Sequence, residues 1–145
     1  MHSTSWVLNW GSRVYRFAAV SNFLVTVPPI VGYKLLRDLP IPMPNYPFLL
    51  WIWSGMAFLW GVVFLEIASN VVEKQAFIKY SYLEKLVTST SVIVAYFCGN
   101  VPAGFMLFVF LTDVIWVPIF IAIHVALIRF LKNSAAEARV LSPGN

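Results

Sequence analysis

Residues Phe105 to Lys132 read FMLFVFLTDVIWVPIFIAIHVALIRFLK. The first 24 of them, Phe105 to Ile128, are apolar apart from Thr112, Asp113 and His124. As a helix they cover about 36 Å, enough to cross a hydrocarbon core of about 30 Å with some tilt. Asp113 falls near the middle, where an ionised carboxylate costs roughly 2.5–3.5 kcal/mol on insertion scales. A carboxylate at that depth requires a partner, and the rest of the chain is read as the search for one.

Composition points the same way. Of 145 residues, 60% are hydrophobic and 11% charged, against about 25% charged in a soluble domain. The net charge of +4 comes from basic residues at the ends of apolar runs, which mark topology rather than nucleic-acid binding. A single cysteine, Cys98, excludes an internal disulfide, a CxxC pair and a cysteine metal cluster. No cleavable signal peptide, myristoylation site or prenylation box is recognisable.

The expected fold is all-α: a polytopic membrane protein with four transmembrane helices in an up-down arrangement. Residues 1–13 form a polar lead, with Trp6 and Trp10 as interfacial aromatics. The single domain, 14–132, holds spans at about 14–33, 48–68, 82–99 and 105–128, and 133–145 is a flexible tail. Pro28-Pro29 should kink or unwind the last turn of the first span. The loop KLLRDLPIPMPNYP, with prolines 40, 42, 44 and 47, reads as an extended strap or a plain connector. Trp51 and Trp53 open the second span at the interface, and Ser54, Ala57 and Gly61 form a small-residue face suited to close helix approach. Four spans place both termini on one side. That side carries Arg13, Arg16, Lys74, Lys79, Arg129, Lys132 and Arg139, against Lys34 and Arg37 opposite, so both termini are expected in the cytoplasm.

Depth then gathers the polar residues. Asn22, Glu66, Lys85, Asp113 and His124 all fall in the inner half, with Arg16 at the interface. Asp113, Trp116, Val117, Phe120 and His124 share one face of the fourth span, and Lys85, Thr88, Ser89, Val92 and Tyr96 one face of the third. If both faces turn inward, Lys85 reaches Asp113 or bonds Glu66. The competing reading is that Glu66 and Lys85 snorkel to the interface and that Glu84 does so too. Haem would need a second axial ligand, and His2 is the only other histidine, so neither haem nor a metal is expected.

The stretches WSGMAFLWGVVFLEIA, FIKYSYLEKLVTS, GNVP and FLTDVIWVPIFIAI resemble the small four-helix DoxX-like membrane proteins over residues 48 to 125. In that family a glycine-containing second helix, a lysine early in the third and an acidic residue in the fourth recur, and Lys85 and Asp113 are the matching positions. The resemblance implies a membrane subunit or accessory protein of a redox assembly. Two departures stand out: the branch that handles disulfides needs paired cysteines, and the prolines of the first loop do not map onto the family. Three functions are expected in turn. The first is an accessory or assembly subunit, without catalytic activity of its own, partnered by other membrane proteins or by itself. The second is an oxidoreductase subunit whose pocket holds a quinone or lipid, with Lys85, Asp113 or His124 handling protons. The third is a proton or small-solute carrier.

Overall fold

In the computed structural model, backbone is described for residues 2–31 and 47–141, and side chains for 6–27 and 48–137. The described residues are all helical, with no strand: α1 His2–Val31, α2 Pro47–Ser69, α3 Gln75–Phe97, α4 Ala103–Val109 and α5 Trp116–Leu141. A π-helical turn, Phe110–Val114, joins α4 to α5. The proline-rich strap expected over 34–46 lies outside the described residues.

Several boundaries differ from the sequence reading. The polar lead is helical, and α1 starts at His2 rather than at residue 14. It packs rather than dangles: Ser12 Oγ donates to the Ala68 carbonyl at 2.6 Å, and Gly11 is buried beside Val71 and Ile123. Helical backbone continues through Pro28-Pro29 to Val31. Pro47 takes the first position of α2, where its missing N–H would have had no helical partner. The third helix begins seven residues earlier than the span read from hydropathy, after a turn closed by Lys74 N–H to the Asn70 carbonyl. The tail also continues as helix to Leu141, because AAEARVL consists mostly of good helix formers.

The π turn has a legible cause. Pro118 has no N–H to give the Val114 carbonyl, and its ring crowds that carbonyl, so a regular α ladder cannot pass. The chain responds with the wider turn, in which Ile115 N–H bonds the Phe110 carbonyl at 3.2 Å.

Packing is most extensive between α1 and α2. Moving from Ser12 to Asn22 along α1 moves from Ala68 back to Ala57 along α2, so the two run antiparallel. The small residues of α2 make this possible: Ser54 and Gly61 are buried, and Ala57 offers its carbonyl to Asn22. Beneath lies an aromatic core. Tyr15 stacks on Phe120 at 4.7 Å, Phe64 meets both edge-on, and Trp116 stacks on Phe120 at 5.6 Å.

The large apolar side chains of α2 point the other way. Leu49, Trp51, Ile52, Met56, Leu59, Val62 and Leu65 are all exposed. Two helical stretches, Phe48–Ser69 and Ala103–Glu137, are long and apolar enough to cross a membrane, and only 17% and 28% of their most apolar windows are buried. The other two helices are more polar, α1 through Arg13, Arg16 and Asn22 and α3 through Lys79, Glu84 and Lys85.

Gly61 is the tightest point of the α1–α2 contact. A β-carbon there would sit 2.5 Å from the Phe23 ring, which is itself packed on Phe58. Gly61→Val should therefore cost about 1–3 kcal/mol by overpacking. Unfolding in mixed micelles measures it, and an unchanged midpoint would mean that the ring swings aside freely.

Candidate functional site

The four helical rods converge on one ammonium group. Lys85, on α3, is buried to 3% exposure. Its Nζ lies 2.5 Å from Asp113 Oδ1 and 3.2 Å from Asn22 Oδ1. Glu84 Oε2 is 3.5 Å away, an ion pair without hydrogen-bond geometry. An ammonium has three N–H donors, and three acceptors surround it. Asn22 passes the connection on, its Nδ2 donating to the Ala57 carbonyl at 3.0 Å. The Thr112 hydroxyl stands 3.3 Å from Asp113 Oδ2 and 3.0 Å from the Phe108 carbonyl, with one proton to give. Thus Lys85 ties α3 to α1 and the π turn, and Asn22 extends the connection to α2.

Local structure explains the convergence. The π turn carries Asp113, and such turns widen the helix and re-aim the residues on them. On α1, Thr26 donates to the Asn22 carbonyl at 2.8 Å, which satisfies the hydroxyl and leaves the Asn22 side chain for Lys85. Lys85 does not run toward a helix end: its Nζ also lies 5.8 Å from the Phe64 ring, deep among the helices. Snorkelling is therefore not what this lysine does.

The residues singled out from sequence separate into two groups. Asn22, Lys85 and Asp113 meet. Glu66 does not: it is exposed, nine residues beyond Ala57 and so about 13 Å away along α2. His124 is eleven residues beyond Asp113, about 16 Å along the axis. Its Nδ1 instead faces the Tyr82 hydroxyl at 3.4 Å. Arg16 and Trp51 are exposed, whereas Trp53 lines the polar cavity. A third residue also departs from its expected place. Glu84, expected to snorkel, joins the cluster with a side chain only 15% exposed. Its position beside Lys85 is the signal in the sequence, but deciding between the two fates requires knowing which way α3 is rotated.

A cavity of about 30 Å³ lies against the cluster, lined by Asn22, Thr26, Trp53, Glu84, Lys85 and Asp113 among others. Two larger grooves flank it. One, about 390 Å³, lies between α2 and α3 and shares Trp53, Ala57, Glu84 and Thr88 with the cavity. The other, about 490 Å³, lies between α1 and the π turn with α5, and shares Ser21, Val25 and Thr112. Among the described residues no three His, Cys, Asp or Glu side chains are grouped to hold a metal ion.

In comparisons with protein families, curated proteins and solved structures, nothing matches this chain.

Breaking a buried pair by removing one partner strands the other charge, at about 3–5 kcal/mol, whereas removing both together costs far less. Lys85→Met and Asp113→Asn should each destabilise by that order, and the double variant by less than either. A double-mutant cycle read by unfolding in micelles tests it: additive losses would mean that the two charges do not depend on each other.

Proposed function

We propose that this is a four-span integral membrane protein with both termini in the cytoplasm, acting as an accessory or assembly subunit of a membrane complex. The observation that carries the reading is the closed charge cluster. Lys85 hydrogen-bonds Asn22 and Asp113 and pairs with Glu84, all groups of this same chain, which suits a load of structure rather than of turnover. The cavity beside it, at about 30 Å³, has room for little more than a water molecule. That favours the accessory reading over one in which a quinone ring sits between Lys85 and Asp113.

Membrane insertion is supported by the way α2 is turned. Its small residues face α1, and its Trp, Leu, Ile and Met side chains face outward, an exposure that water would penalise and lipid does not. For α1 and α3, which are less apolar, insertion rests on partnership. Their polar groups, Asn22 and Lys85, are turned inward and neutralised there. Antiparallel contacts of α1 with α2 and with α5 support the up-down order. Seven basic residues on the side of the termini, against two opposite, support the orientation.

Two experiments test this. The exposed thiol of Cys98, just past the end of α3, reports topology. A membrane-impermeant maleimide added to intact cells should label it, while a cysteine introduced at Ser134 should react only after permeabilisation. The reverse pattern would invert the proposed orientation. For the accessory role, tagged protein purified gently from its own host membrane should carry a stoichiometric partner in native mass spectrometry. Recovery of this chain alone would overturn that role.

A further inference from the structure

The outward face of α1 changes character along its length. Trp6, Trp10 and Arg13 come first, then Phe17, Val20, Leu24 and Val27, and all of them are exposed. Trp6 and Trp10 stack on each other, their ring centroids 5.6 Å apart and their planes 10° from parallel. Trp10, Arg13 and Phe17 follow one another at helical spacing along a single strip of the surface. Phe17 is also the first residue of α1 to line the groove of about 490 Å³ between α1 and the π turn with α5. Phe17, Leu24 and Val25 form one wall, and Leu111, Ile115 and Ile119 the other. Phe17, Leu24, Leu111 and Ile115 are exposed there, which costs free energy in water and none in lipid.

The strip has the depth of one leaflet. Arg13 to Val25 spans about 18 Å along α1, and half of a hydrocarbon core of about 30 Å is about 15 Å. Its indoles then stand at the level of the lipid head groups, where such rings collect. A guanidinium lies just beneath them, and an apolar furrow continues down to Thr112 beside Asp113.

Charge decides what fills it. Neither Arg13 nor Arg16 has an ion pair or hydrogen-bond partner for its side chain among the described residues. Arg16 lies about 60° round the helix from Arg13, on the side of Ser12, which meets α2. Arg13 is therefore the cation at the mouth of the groove. Its forked donors match a phosphate group in geometry as well as charge. Among the described residues that end of the bundle carries Arg13, Arg16, Lys74, Lys79, Arg129 and Lys132, against Glu66, Glu73 and Glu137. A head group with an ammonium of its own would meet that excess unfavourably, and a purely anionic one would be drawn to it. An apolar partner helix would fill the furrow but leave Arg13 unanswered.

We infer that the α1–α5 groove binds one anionic phospholipid from the leaflet on the side of the termini, its phosphate on Arg13 and an acyl chain between Phe17, Leu24 and Ile115. The inference rests on the membrane insertion proposed above, and on neither the accessory role nor the orientation.

The test places the full chain in nanodiscs of equal parts phosphatidylglycerol and phosphatidylcholine and reads the retained lipid by native mass spectrometry. One phosphatidylglycerol per chain should remain, enriched about fivefold or more over phosphatidylcholine. Arg13→Gln should remove most of that enrichment, Arg13→Lys should keep part of it, and Arg16→Gln should change it little. Equal losses from Arg13→Gln and Arg16→Gln would mean a diffuse attraction and overturn the site. On the wild-type chain, a phosphatidylglycerol with a diazirine in its acyl chain should crosslink to 17–25 and 111–119 in preference to the exposed Leu49, Ile52 and Met56 of α2. Crosslinks spread evenly over both surfaces, or a dimer that retains no lipid and so gives the groove to a second copy, would sink it. A chain that does not enter the bilayer overturns the membrane reading and this inference together. One that enters it without preferring phosphatidylglycerol overturns this inference alone.

Discussion

A buried ammonium group is the constraint on which the rest of this structure depends. Lys85 is buried among the helices, so its charge must be answered by the chain itself. Asp113 answers it directly, Asn22 adds a second acceptor, and Glu84 stands behind. Each comes from a different position in the chain. Two are held in place by further contacts, Asn22 by the Ala57 carbonyl of α2 and Asp113 by a π turn beside Thr112. Without that requirement α3 would be held mainly by its packing along α5, since its contact with α2 is sparse.

Below the charge cluster the packing is of another kind. Tyr15, Phe64, Trp116 and Phe120 stack and cross without direction beyond ring geometry, filling space where α1, α2 and α5 meet. The aromatic layer supplies contact area and the polar layer supplies register, because a salt bridge is satisfied in one alignment only. The glycine and serine face of α2 serves both, letting α1 come close enough for Asn22 to reach a backbone carbonyl.

The same asymmetry shapes the openings beside the cluster. Where α1 meets α2 the helices are tight, and where α2 meets α3 they part, leaving an aromatic groove that Glu84 helps to line. Lys85, Asp113 and Glu84 thus form one connected and largely buried set of charged groups. That set accounts for cohesion.

Much of this was legible in the linear sequence. Helical class, the apolar stretches near 48–68 and 105–128, the need of Asp113 for a partner and the small face of α2 all follow from period, hydropathy and the cost of charge in an apolar medium, whereas the inward turn of Lys85 stays open there against snorkelling. The break before α5 was not legible: 105–128 reads as one continuous span, although Pro118 lies within it. What depends on rotation about a helix axis was not. Glu66 and Glu84 look alike in sequence, each an acidic residue near an expected span end, yet one is exposed and the other joins Lys85. His124 shares a nominal face with Asp113 but pairs with Tyr82 instead. Helical period tells which residues lie on one face; only the packed structure tells which neighbour that face meets, and at what height. Composition and periodicity thus determined that a buried lysine and aspartate must find partners. The tertiary structure alone decided that Asn22 and Glu84 complete the set, because the choice turns on distances between helices that no single helix encodes.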